Sequence, residues 1–337
     1  MPRPLLRSTA LVAAALTTAG ALAACGSGDT ASTADASSSS SGGGGGSGAF
    51  PVTVSTAFGD VEIEAEPQRV VALGWSDAET ALALGVQPVG ASDWLAFGGE
   101  GVGPWAEGGY DEAPEIIETL EPSLEAVAAL EPDLILDTRS DATQERYEAL
   151  SAIAPTVGQP EGVEAYLTTW QQQLDLVGRA LGRTEEAGRL REDLEQRVAD
   201  AAAAHPEFAG TEVAVGAYTS EGFAAYVRGD TRVDLMEALG FTNKPAVQDL
   251  ATGSFSVPLS EEQVPLLDAP LTVVFPIFVD PAQITGNPLW QTLGSVQQGN
   301  AVVLDETLAN AFSSGSVTGI GYALDNAVPL FAEALQG

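Results

Sequence analysis

From Pro51 onward the chain alternates short unbroken apolar runs with stretches whose apolar residues recur every three or four positions. Arg69-Val70-Val71-Ala72-Leu73 has the pattern of a strand buried on both faces. Ser76–Leu84 follows as a helix ended by Gly85, the residue helix ends prefer. Pro88-Val89-Gly90-Ala91 reads as a second strand. Ser123–Leu130 reads as a helix, with Ser123 able to cap it after Pro122. Asp133-Leu134-Ile135-Leu136-Asp137 is a third strand. Strands alternating with helices predict an α/β unit with a parallel sheet.

A helical middle comes next. Val163, Leu167, Trp170, Leu174, Val177 and Leu181 recur at steps of four and three. After a break at Gly182, Thr184 is placed to cap a second helix running to Ala204, about 30 Å long at 1.5 Å per residue. The βα rhythm then restarts. Strands are expected at Glu212–Ala217, Ala224–Val227, Leu271–Phe275 and Ala301–Leu304, and helices at Thr231–Leu239, Ser260–Leu267, Pro288–Leu293 and Ile320–Leu335. Two α/β halves flank a helix, a layout that places a ligand between them at the carboxyl ends of strands.

The amino terminus has another logic. Arg3 and Arg7 precede an apolar, acid-free stretch from Ala10 to Ala24, so 1–24 reads as an export signal, too short for a membrane span. Leu22-Ala23-Ala24-Cys25 resembles the lipobox of bacterial lipoproteins, which implies an acylated Cys25 as the first mature residue. Residues 25–48, rich in Ser and Gly, have the composition of a flexible tether reaching roughly 25–30 Å. The expected location is extracytoplasmic, lipid-anchored to the outer face of the cell membrane.

Charge and cysteine sharpen this picture. The chain has 13 Lys and Arg against 47 Asp and Glu. Without Arg3 and Arg7, 11 cations face those 47 acids, a balance of −36. Such a surface repels nucleic acid and anionic lipid, so no nucleic-acid partner is expected. Cys25 is the single cysteine; with it acylated, no disulfide supports the fold.

Three ordered stretches carry a family resemblance. Pro67-Gln68-Arg69-Val70-Val71-Ala72-Leu73 with Glu79–Val86 and Pro88-Val89-Gly90 resembles the opening of periplasmic iron–siderophore binding proteins. Glu121-Pro122-Ser123-Leu124-Glu125-Ala126-Val127 with Leu130–Leu136 resembles their next signature, and Asn287–Leu293 with Val296 and Ala301–Asp305 a third. The resemblance implies a substrate-binding lipoprotein of an ABC importer, a monomer that hands a ferric siderophore to permease subunits. It implies a fold of two Rossmann-like lobes with parallel-sheet cores, joined by a long interlobe helix, with the ligand cleft between them. The lobes would be 49–160 and 206–337, with the helical region at 161–205. No enzyme activity and no cofactor are expected, because the siderophore holds the iron and the protein supplies no metal ligand.

The ligand then needs aromatic faces and a few donors. Outside the helical middle and the signal, the cations are Arg69, Arg139, Arg146, Arg228, Arg232 and Lys244. Arg139 and Arg228 directly follow strands, and the resemblance favours an Arg in the Arg139 loop. The alternative for each is an ion pair with neighbours such as Asp137 or Asp230. Trp75 and Trp94 follow strands in loops, and Tyr218 adds a hydroxyl; these are favoured over the Phe residues. So few cations beside so many acids favour a neutral or cationic ligand, of hydroxamate or mixed type, over a tris-catecholate. The resemblance carries permease docking to Glu125 and to Glu262 or Glu261, which otherwise read as solvated acids at helix starts.

Rival readings remain. Haem would need a Tyr or His axial ligand, and cobalamin would also use an aromatic cleft. A secreted α/β enzyme lacks support: the one His, His205, precedes Pro206, and no G-x-S-x-G or G-x-G-x-x-G follows a strand.

Overall fold

The computed structural model describes Phe50–Gln336. The expected signal, Cys25 and the tether lie outside the described residues. A hairpin that the βα rhythm does not announce comes first. β1 (Val52–Thr56) and β2 (Gly59–Ile63) pair antiparallel, burying Val54, Val61 and Ile63 between exposed neighbours.

A five-stranded parallel sheet follows, built from β3 (Val70–Ala72), β4 (Gly90–Ser92), β5 (Glu115–Ile117), β6 (Leu134–Leu136) and β7 (Thr156–Val157). Its order is β5-β4-β3-β6-β7. On one face Val71 and Ile135 share a core with Val127 of α2 (Leu124–Ala129) and Leu150 of α3 (Gln144–Ser151). On the other, Val70, Leu134 and Leu136 share one with Ala81 of α1 (Asp77–Ala83) and Leu174 of α4 (Trp170–Ala180). Cover on both faces explains why β3 and β6 are apolar without alternation. The chain moves outward from β3 through β4 and β5, then returns to the far side of β3 with β6 and β7. The turns after β3 and β6 therefore meet at a topological switch point, where such sheets leave a crevice.

The helical middle starts later than its periodicity suggests. Helix begins at Trp170, where Thr169 and Gln172 form a capping box. Gly162 and Tyr166 have φ of 76° and 63°, so the segment expected to start helix at Val163 is a loop. α5 (Thr184–Ala204) follows, with Thr184 inside the helix and Arg183 at the cap position, where its side chain makes no capping bond. Ala187 packs into the first lobe's core and Leu194 into the second's, so α5 passes from one core to the other.

The second lobe carries β8 (Glu212–Thr219), β9 (Gly222–Tyr226), β10 (Thr242–Asn243), β11 (Ser256–Pro258), β12 (Leu271–Pro276) and β13 (Ala301–Val303). The order is β11-β9-β8-β12-β13, with β10 beside the start of β8. β8, β12 and β13 are parallel, but β9 runs antiparallel to β8. Only Ser220 and Glu221 separate the two strands, too few residues for a parallel crossover. Helices α6 (Thr231–Ala238), α7 (Pro245–Gln248), α8 (Ala282–Thr285), α9 (Pro288–Gln291), α10 (Gly294–Gln298), α11 (Glu306–Ser314) and α12 (Val317–Gln336) complete it. The helix expected over Ser260–Leu267 is only a 3-10 turn at Val264–Leu267. Pro265 lacks an amide donor and disfavours helical backbone before it. Among the described residues, no helix is long and apolar enough to cross a membrane.

Candidate functional site

At the switch point the turns after β3 and β6 touch backbone to backbone. Gly74 permits this: a Cβ there would fall 2.3 Å from Asp77 Oδ2 and 2.9 Å from the Thr138 and Arg139 amides. The Trp75 amide donates to the Arg139 carbonyl at 2.9 Å. Gln173 Nε2 of α4 donates to the Trp75 carbonyl at 2.8 Å. Asp77 ties the knot, accepting from the Gly74 and Thr138 amides, the Thr138 hydroxyl and Gln173. Burial pushes its carboxyl up to about 6, although the Thr138 and Gln173 hydrogen bonds pull the other way.

This rigid base presents aromatic rings. Trp75 stacks on Trp94 with centroids 4.4 Å apart and planes 9° apart. It also packs on Tyr166, at 4.3 Å with the planes tilted by 31°. Phe255 of the second lobe meets the Trp75 edge at 6.3 Å. From Phe255 the chain of rings continues to Tyr226 at 6.4 Å, and from Tyr226 to Phe275 at 5.7 Å. The rings therefore cross from lobe to lobe. Trp75 Nε1 is buried without a hydrogen-bond partner, a donor facing no acceptor. Arg232 lies 3.9 Å from the Tyr226 centroid and pairs with Asp230 through two hydrogen bonds of 2.8 and 2.7 Å. Both members of that pair are buried.

A second bridge lies alongside. Trp105 packs on Tyr322 of α12 at 5.5 Å and donates from Nε1 to Glu79 Oε1 at 2.8 Å. Burial raises the Glu79 carboxyl, while hydrogen bonds from Ser316, Gly103 and Trp105 oppose the rise.

The structure brings together Trp75, Trp94 and Arg139 from the sequence-level candidates. Arg139 is buried, its guanidinium 5.7 Å from the Trp75 centroid, and its side chain donates to oxygens of Tyr166, Ser314 and Thr231. Arg228 is elsewhere: its half-exposed side chain pairs with Glu237 at 2.7 Å. Tyr218 packs edge-on against Phe223 at 4.6 Å. Tyr218 and Phe223 belong to the core on the sheet face opposite Tyr226 and Phe275, because side chains alternate along β8 and β9. Of the expected ion-pair partners, Asp137 binds Arg146 and Asp230 binds Arg232. Glu125, Glu261 and Glu262 are exposed.

Tyr166, Phe255, Tyr226 and Arg232 escape sequence reasoning. Tyr166 sits in the loop that apolar spacing alone predicts as helix. The Asp-x-Arg spacing of Asp230 and Arg232 at the start of α6 was the available signal for the second lobe's pair. Among the described residues, no three His, Cys, Asp or Glu side chains group as metal ligands. A cavity of about 420 Å³ lies apart from the stacked rings, lined by Trp170, Val198, Asp234, Leu235 and Ile320.

Comparison with known proteins agrees with this architecture. The chain is 29% identical to the probable siderophore-binding lipoprotein YfiY of Bacillus subtilis, over 81% of this chain and 86% of that one. It is 28% identical to the Fe(3+) dicitrate-binding periplasmic protein FecB of Escherichia coli, covering 76% and 83%. A periplasmic solute binding protein from Mycobacterium smegmatis superposes with a TM-score of 0.73 at 29% identity, covering 84% and 98%. Streptococcus pneumoniae PiaA, solved with ferrichrome, shares the two-lobed fold with a TM-score of 0.72, covering 85% and 99%. The family model for periplasmic binding protein matches residues 70–308, and the chain belongs to that substrate-binding family.

Proposed function

We propose that this chain is the extracytoplasmic substrate-binding lipoprotein of an ABC importer and captures a ferric siderophore without chemically altering it. The observation that carries this reading is the ring stack Trp94–Trp75–Tyr166, whose two tryptophans follow the carboxyl ends of β4 and β3 and which Phe255 meets across the cleft. Flat apolar ring faces suit the organic shell of a chelate. The sequence similarity to YfiY and FecB, whose names state siderophore and ferric dicitrate binding, supports the same class of cargo.

The cations support a neutral or cationic complex of hydroxamate or mixed type. Arg232 is held by Asp230, Arg146 by Asp137 and Arg228 by Glu237. Arg69 donates to the Leu130 carbonyl, and Lys244 to that of Asp268. Arg139 is buried among backbone and hydroxyl oxygens. A triply anionic complex would find little free positive charge here. Delivery follows through a lipid anchor on Cys25 and docking of Glu125 and Glu262 on permease arginines. Titrating intrinsic tryptophan fluorescence with ferrichrome, ferric enterobactin, haem and cobalamin tests the cargo. Saturable binding of haem or cobalamin alone would replace this reading.

A further inference from the structure

Arg139 has the right address for a ligand contact and the wrong surroundings. It follows β6 at the switch point, yet only 3% of it is exposed. Each of its three nitrogens already faces an oxygen. Nε donates to the Tyr166 carbonyl at 3.0 Å, one terminal nitrogen to the Ser314 carbonyl at 3.2 Å, and the other to Thr231 Oγ1 at 3.3 Å. Those partners lie in three places: the loop before α4, the end of α11, and the start of α6.

Two local features are shaped around this guanidinium. Gly315 has φ of 68°, and a Cβ there would lie 2.6 Å from Arg139 Nη1 and 3.1 Å from Thr231 Oγ1. The notch thus exists only while residue 315 has no side chain. Tyr166 has φ of 63°, a left-handed conformation that costs a non-glycine residue energy unless its surroundings impose it. Its amide donates to the Ser140 carbonyl at 2.9 Å and its carbonyl accepts from Arg139, so one turn holds both ends of the peptide. That hold lays the Tyr166 ring on Trp75. Ser76, the residue after Trp75, also donates its hydroxyl to the Ser314 carbonyl, making this oxygen a shared anchor of the first lobe on the second.

We propose that Arg139 is a positioning residue: seated in the notch at Gly315, it fixes the Tyr166 face of the ring stack and ties the two lobes through Ser314 and Thr231, without touching the ligand. This rests on the reading that the stack receives the ferric complex. It places the affinity contribution of Arg139 in the ligand-free protein, where a preformed face lowers the ordering cost of binding.

The test compares Arg139→Gln, Gly315→Ala and the double variant in the full chain. Near-ultraviolet circular dichroism reports the Trp94–Trp75–Tyr166 stack without ligand. Amide hydrogen exchange reports residues 163–168 and 313–319, and fluorescence titration reports ferrichrome affinity. Both single variants should weaken the stack's signal, speed exchange in both segments and lower affinity by a similar factor, about tenfold. The double variant should be no worse than the Arg139→Gln chain, since both act through one contact. Gly315→Ala keeps the guanidinium, so it decides the matter if Arg139→Gln does not fold. The proposal is overturned if Arg139→Gln loses affinity while its ligand-free spectrum and exchange match the wild type, and Gly315→Ala binds normally. Should the wild type bind no ferric complex, the functional reading fails, while the ligand-free spectrum and exchange still decide the role of Arg139.

Discussion

Asp77 shows how one side chain sets the site. Its carboxylate gathers the turns after β3 and β6 and the helix α4, but it does so buried. Folding lifts its pKa from 3.8 to about 6, so the native state holds this proton more firmly than the unfolded chain. The cost of keeping it ionised is fully present above about pH 6, fades as pH falls through 6, and is gone below 3.8. Denaturant titrations of the wild type and Asp77→Asn at about pH 7 and about pH 5 check this: the stability difference should shift toward the wild type at the lower pH. A difference that is flat with pH would show that Asp77 titrates normally. At this scale the sequence was legible where a ring directly follows a strand, as with Trp75 and Trp94. It was opaque at Tyr166, whose place depends on a left-handed turn and on Arg139, neither of which leaves a periodic mark. Arg228 also follows a strand, yet Glu237 at the far end of the next helix pairs with it.

Among elements, α5 joins the cores of the two lobes. With Ala187 in one core and Leu194 in the other, it is a shared wall that resists separation of the lobes. Leu194→Ala should lower unfolding stability by about 2–5 kcal/mol, whereas Glu192→Ala, exposed on the same helix, should change it by about 0.5 kcal/mol or less. Denaturant midpoints of both variants measure this, and equal effects would contradict the shared-wall account. Long elements with strong periodicity, such as α5 and α12, were plain in the sequence. The β1–β2 hairpin has period-two alternation about Gly59, which a search for βα rhythm passes over. The reversal of β9 depended on counting two residues in its turn, and the 3-10 turn at Val264–Leu267 on one proline. Local chemistry at single positions decided these elements, against the pattern of their surroundings.

Across the described residues of this acidic chain, the aromatic bridge spans the cleft between two lobes. The acids proposed for docking and the rings proposed for binding occupy different surfaces. Glu125 lies in the first turn of α2 and Glu262 precedes the turn at Val264, both exposed, while the rings lie between the lobes. Reversing both charges, with Glu125→Arg and Glu262→Arg, should abolish iron uptake by cells while leaving affinity for the ferric complex within about twofold, as expected of exposed positions away from the cleft. Uptake assays and binding titrations on the same variant separate the two roles, and a matching loss of affinity would merge them.

The central claim is that the ring stack is the receiving face for a ferric siderophore with little negative charge. Its most direct test is a fluorescence titration of the wild type and of Trp75→Ala/Trp94→Ala with ferrichrome and ferric enterobactin. The account predicts saturable one-to-one binding of ferrichrome by the wild type, much weaker binding of ferric enterobactin, and loss of ferrichrome binding in the double variant, read by calorimetry where the fluorescence signal is gone. Tight binding of ferric enterobactin with none of ferrichrome, or ferrichrome affinity unchanged without the two tryptophans, would contradict it.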